Sequence, residues 1–83
     1  MTLVELTQHL HDGREIEFSF CSHRYFISPD FVSGKFEGNY TIYDNDEHKT
    51  VFSGPMEDLL CFKFAPFLVF SECIPLFNIE YVL

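Results

Sequence analysis

Hydrophobic residues recur along this chain with two different periods, and the switches between them mark out its elements. Near the start, Leu3, Leu6 and Leu10 fall at helical spacing, and Thr2 followed by Glu5 makes a capping box. Gly13 is a suitable terminator, so the spacing predicts a helix over about Leu3 to His11. From Glu15 the period drops to two. Ile16, Phe18 and Phe20 then face one way and Glu15, Glu17 and Ser19 the other, as in a strand with one buried face. "YFISP" reads as a returning strand stopped by Pro29 and Asp30. A four-residue turn, Cys21 to Arg24, would set Phe18 opposite Ile27 and Phe20 opposite Tyr25.

"FVSGKFEGN", with two glycines, reads as a looser connection. "NYTIY" and "KTVFS" are a third and a fourth strand joined by Asp44 to His48, and a five-residue loop there pairs Tyr40 with Phe52 on the face that Ile42 also uses. "SGPMEDLLCFK" is a helix start: Ser53 or Gly54 caps, Pro55 takes the first position, and Glu57 and Asp58 favour the positive helix end. Met56, Leu59 and Leu60 share one face of that helix. Pro66 and Pro75 interrupt the apolar stretch from Phe64 to Pro75, which reads as a loop with one short helical turn around Phe70 to Cys73. "FNIEYVL" alternates again, placing Phe77, Ile79, Tyr81 and Leu83 on one side of a last strand or extended tail.

These elements predict a single α+β domain over residues 1–83. It has an N-terminal helix, an antiparallel sheet of four to five strands built from hairpins, and one or two further helices packed on one face. The expected core is Ile16, Phe18, Phe20, Ile27, Tyr40, Ile42, Phe52, Leu59, Leu60 and Ile79.

Composition sharpens this picture. The chain is 47% hydrophobic with eleven Phe, too apolar for disorder and rich in aromatic side chains for so small a core, so some of them are expected at an interface. Thirteen acidic residues against five basic ones give a formal net charge of −8. Phosphate backbones are bound through Lys and Arg, so direct nucleic-acid binding and docking on anionic membranes are not expected. The N-terminus has no basic and long apolar leader pattern, and the apolar run Phe64 to Phe70 is too short to span a bilayer. Three cysteines without a paired spacing suit a reduced, cytoplasmic protein, with Cys61 and Cys73 as small core residues.

Candidate chemistry is densest at Asp44 to His48. An EF-hand loop beginning at Asp44 fails, because Lys49 stands where glycine is needed and Pro55 where the final glutamate is needed. Asp44, Asp46 and His48 remain candidate ligands for a looser divalent site, though Asp and Asn are also what a tight turn prefers. Glu5, His9 and Asp12 share a helix face and form a second candidate metal set, on the side opposite the leucine stripe where solvated residues belong. Cys21 and His23 have the makings of a nucleophile and base, but no third group in the sequence orients them. Glu15 and Glu17 imitate an acid/base carboxylate pair and are equally the solvent face of a strand. The chain has no glycine-rich phosphate cradle, paired CxxC or serine elbow, so an enzyme is not expected and no cofactor is called for.

"CFKFAPFLVF" stands apart. Phe62, Phe64, Phe67 and Phe70, interrupted only by the charge of Lys63, are the candidate interface residues of a protein that binds an unidentified protein partner or forms a homodimer. A metal- or small-ligand-binding protein is the alternative, and an acidic nucleic-acid mimic the third.

The motifs "GREIEFSF", "YFISPD", "YTIYD" and "VFSGPMEDLLCFK", over about Gly13 to Phe64, resemble those of a group of small uncharacterised bacterial proteins, mainly Gram-positive. That group carries an Asn-Gly-Lys type of turn where this chain has Cys21-Ser22-His23. The resemblance implies an α+β fold and a cytoplasmic location, and it carries over no site residues.

Overall fold

The computed structural model describes residues 1–83. Helix α1 (Leu3–His11) begins on the expected capping box: the Glu5 amide donates to Thr2 Oγ1 at 3.1 Å, and the Thr2 amide to Glu5 Oε1 at 3.0 Å. Four strands come next, β1 (Ile16–Phe20), β2 (His23–Val32), β3 (Lys35–Asp44) and β4 (Lys49–Pro55). Helix α2 (Met56–Cys61) leads into a small ribbon, β5 (Lys63–Ala65) with β6 (Leu68–Val69), then α3 (Phe70–Cys73) and a 3₁₀ turn (Ile74–Leu76). The last strand, β7 (Asn78–Val82), returns to the main sheet, whose order is β4-β3-β2-β1-β7 with antiparallel neighbours throughout. The fold is α+β, as the periodicity requires, and the α3 turn lies on the residues expected.

One face of the sheet holds the core. Ile16, Phe18, Ile27, Tyr40 and Ile42 from the strands join Leu6 and Leu10 of α1, Leu59 of α2, and Phe70, Cys73, Ile74 and Phe77 in one buried cluster. Phe18 is its centre, stacked at 4.1 Å on Phe77 and at 5.4 Å on Tyr25. Each such aromatic pair is worth about 0.5–1.5 kcal/mol beyond its buried area. The other face carries half-exposed Glu17, Ser19, Phe26, Ser28, Thr41 and Tyr43, of which Phe26 and Tyr43 lie 5.4 Å apart.

Several local expectations need correction. The β1–β2 turn has two residues, not four. Phe20 pairs with His23 and Phe18 with Tyr25, because Cys21 and Ser22 both take positive φ (51° and 66°), as the tight hairpin turns that match strand twist demand. "FVSGKFEGN" is not a loose connection either. β2 continues past Pro29 through an irregularity before Phe31, and Ser33 and Gly34 (φ 52° and 79°) make a second two-residue turn. In β3–β4 Asp44 pairs with Lys49, so the loop is Asn45 to His48 rather than Asp44 to His48, and a bulge between Ile42 and Tyr43 shifts the register further, setting Ile42, not Tyr40, opposite Phe52 and Tyr40 opposite Gly54. An added Cβ at Gly54 would stand 3.0 Å from the Phe52 ring, so any side chain there would have to push that ring aside.

Helix α2 begins at Met56 with Pro55 as its cap position and no side-chain cap. A bulge between Glu17 and Phe18 shifts β7, so that Ile79 and Val82 reach the core while Tyr81 is exposed. Of the expected core, Phe20, Phe52, Leu60 and Ile79 are only half-buried, and Cys61 is exposed whereas Cys73 is buried.

Candidate functional site

Both short turns at one end of the sheet are held by acidic side chains. Asp44 ends β3 on the core side, opposite Tyr25 of β2, and is the one buried charged residue of the chain. Its Oδ1 accepts the amides of Asp46 (2.9 Å) and Glu47 (3.0 Å), closing the β3–β4 turn. Its Oδ2 lies 3.0 Å from His23 Nδ1, whose ring stacks over Tyr25 at 6.1 Å. Asp46 reaches across to β2: Oδ2 accepts the Arg24 amide at 2.8 Å, and Oδ1 takes Nε and an Nη of the same arginine at 3.3 and 3.2 Å. The Asn45 amide also donates to the Arg24 carbonyl at 2.8 Å.

These bonds set the protonation of the cluster. The hydrogen bond to Asp44 raises the His23 pKa above its ordinary 6.5, with the neighbouring Glu47 and Asp46 charges acting in the same sense. Burial works against the charge on Asp44, but the turn amides and His23 outweigh it and hold the carboxyl below its ordinary 3.8. Asp46 is lowered from the same value, first by the Arg24 amide and then by its guanidinium.

His23, Asp44 and Asp46 bring their ligand atoms within 4.8 Å of one another, and no other set of three or more such residues does so. The structure therefore replaces His48 of the expected set with His23. His48 is exposed at φ 55° in the turn, while His23, distant in sequence, arrives through the β2–β3 pairing. Glu5, His9 and Asp12 do not converge: Glu5 is engaged in the helix cap, and Asp12 accepts from Gln8 at 3.1 Å. The chemistry of the convergent set is also largely committed. Every carboxylate oxygen of Asp44 and Asp46 already accepts a donor, and an ion would have to replace the His23 proton beside a guanidinium. His23 does meet the orienting carboxylate that the sequence does not reveal, but directs Nδ1 to Asp44 and leaves Cys21 exposed in the turn.

The aromatic segment is divided by the fold. Phe70 is fully enclosed and Phe64 half-buried, packed at 5.6 Å on Phe70 and 5.7 Å on Phe77; Phe62 covers Phe52 at 5.1 Å. Phe70 is therefore core and cannot be an interface residue. Phe67 alone of the four stands free, 94% exposed between β5 and β6. The larger apolar surface lies elsewhere. β1 pairs with β2 only over His23–Ile27 and β4 with β3 only over Asn39–Asp44, so the stretch Phe31–Phe36 pairs with nothing but itself. This arm exposes Phe31, Val32 and Phe36. At its base Phe36 lies 5.2 Å from Tyr40, and Tyr40 floors an open hollow with Met56 of α2 and Thr7, Gln8 and His11 of α1. Sequence alone conceals the arm, because its two glycines suggest a flexible link.

No protein-family model, curated protein or solved structure matches the chain.

Proposed function

We propose that this chain is a non-enzymatic protein-binding module of regulatory or inhibitor type, working through the β2–β3 arm. The observation that carries the reading is the exposure of Phe31, Val32 and Phe36 on a ribbon with no sheet neighbour. A two-stranded ribbon is marginal on its own, and exposed aromatic side chains along it suit burial against a partner. Three unpaired cysteines are consistent with action in the cytoplasm, and no helix is long and apolar enough to cross a membrane. A photoreactive phenylalanine analogue placed at Val32 in growing cells tests the reading. It should give a discrete protein adduct that the same group placed at Glu47 does not. Matching adducts at both positions, or none at Val32, would sink it.

Ion binding at His23, Asp44 and Asp46 is the second reading, favoured by the convergence of their ligand atoms. A melting temperature that rises with zinc, cobalt, manganese or calcium concentration, and no longer does so in His23→Gln, supports it. Absence of a shift with every ion excludes it.

A further inference from the structure

We infer that the uncovered face of the sheet receives an arginine side chain of a basic protein segment, its guanidinium lying over Glu17 between the rings of Tyr81 and Phe26. This surface is separate from the β2–β3 arm, and the inference does not depend on what the arm binds. The three helices all pack on the opposite, core face. Across the open face the strand registers build a row: Tyr81 of β7 stands opposite Glu17 of β1, Glu17 opposite Phe26 of β2, and Phe26 opposite Tyr43 of β3. Residues paired in this way project to one side, and their strand neighbours Ile16, Phe18, Ile27 and Ile42 are buried in the core, so the row faces outward. Tyr81 is 60% exposed, and Tyr43 backs the Phe26 ring at 5.4 Å. Neighbouring strands run about 4.8 Å apart, so Glu17 has an aromatic position at about that spacing on either side. A planar cation over its carboxylate comes within about 6 Å of both rings, the range in which a ring face attracts it.

Charge complementarity identifies the occupant. Glu17 takes part in no salt bridge of the molecule. Arg24, in the next row of the same face opposite Ser19, is already held by Asp46 through Nε at 3.3 Å and an Nη at 3.2 Å. On the other side of the Glu17 row, Thr41 Oγ1 donates to Asp30 at 2.8 and 3.0 Å and so sets a second carboxylate on this face. Lys35 stands apart at the tip of the arm. The face is therefore aromatic and negative, on a protein of net charge −8 that repels its own copies and attracts a polycation. Arginine fits better than lysine, because a guanidinium is flat and weakly hydrated, stacks on rings and forks toward a carboxylate. A protein segment fits better than a free small cation. The hollow of the molecule lies on the helix side, lined by Thr7, Gln8, His11, Tyr40 and Met56, so the flat face gives a lone ion no enclosure. A chain laid across the strands brings further positive charge into the same field.

Calorimetric titration of the whole chain at low salt with a blocked hexa-arginine peptide tests the site. The peptide should bind at least about fivefold more tightly than hexalysine of equal charge. Tyr81→Ser, which alters no charge at an exposed position, should weaken binding at least about threefold, and Glu17→Gln should weaken it more. Glu57→Gln removes the same charge from α2 and should change affinity less than about twofold. In proton spectra the arginine side-chain methylenes should move upfield as they pass over the rings, and less so with Tyr81→Ser. Equal affinity for hexalysine, or equal losses from Glu17→Gln and Glu57→Gln, would show only that an acidic protein attracts a polycation, and overturns the site. So does a Tyr81→Ser chain that binds as the parent does, or a parent that does not bind. Arginine amide alone binding as tightly as the peptide overturns the choice of a protein segment. Should Glu17→Gln lose its fold by circular dichroism, Tyr81→Ser and the lysine comparison decide the matter.

Discussion

At its C-terminal end β3 finishes on Asp44, a buried carboxylate that bonds two turn amides and a histidine, while at its N-terminal end Lys35 and Phe36 stand in solvent with only β2 beside them. A two-residue turn lies at each of these ends of the sheet, between β1 and β2 beside Asp44 and between β2 and β3 in the arm. Cys21 and Ser22 at the first, and Ser33 and Gly34 at the second, all take positive φ. What differs is the surroundings. The Asp44 end ties two hairpins together through His23 and Arg24, so its turns cannot open without breaking charged hydrogen bonds. The arm end has no such tie and exposes apolar side chains instead. Polar density therefore marks where the molecule is fastened, and apolar exposure marks where it is free to meet something else.

The comparison is broken most directly at Asp44. Asp44→Ala leaves two turn amides and His23 without their acceptor, and should lower the melting temperature more than any single substitution in the arm. Asp44→Asn, which keeps an oxygen for the amides, should fall between; equal loss from Asp44→Ala and Phe31→Ser would erase the distinction.

A smaller effect is expected on pH. His23 binds its proton more tightly in the folded chain, so its stabilisation is complete below pH 6.5 and is lost as the pH rises through its raised pKa. Asp44 and Asp46 have lowered values, so theirs is present above 3.8 and is lost as the pH falls through those values. Thermal melts should show greatest stability between these limits. His23→Gln should remove the decline on the alkaline side and keep the acid one.

The turns themselves sharpen the contrast. Replacing Cys21-Ser22 by Asn-Gly relieves positive φ at two side-chain-bearing positions and should add about 1 kcal/mol to global stability in denaturant unfolding. Ser33→Asn makes the same pair in the arm, but the arm frays without unfolding the sheet. Its effect should appear as slower amide exchange in Phe31–Phe36 at an unchanged denaturation midpoint. Smallest of all, Phe31→Ser should alter the stability of the chain by less than about 1 kcal/mol, since its ring is more than half exposed.

How much of the fold is legible in the sequence depends on the range of the interaction. The capping box of α1, the alternation of Ile16, Phe18 and Phe20, and the turn at Phe70–Cys73 are local patterns, and each appears where expected. Registers are less legible. Bulges at Ile42/Tyr43 and Glu17/Phe18 carry no residue signature, and each shifts which side chains face inward beyond it. Type of residue also misleads at the turns, since Cys21, Ser22 and Ser33 are not the Asn or Gly that positive φ favours. At the acidic loop, Asp44 and Asp46 are evident but His23 is not, because it lies 21 positions before Asp44 and only strand pairing joins them. Phe70 passes for a surface residue for want of a tertiary context: the apolar run looks the same whether a sheet covers it or water does.

The position of β7 has a consequence for how the chain is made. β1 lies between β2 and β7, with Ile16 opposite Val82, so a strand made early gains its second neighbour only after all the other strands of the sheet. Until then a growing chain presents the edge of β1 and lacks Phe77, the ring stacked on Phe18 at the heart of the core. Pairings so distant in sequence close late. The nascent hairpins must wait, apolar face uncovered, for Phe77 and β7 to arrive.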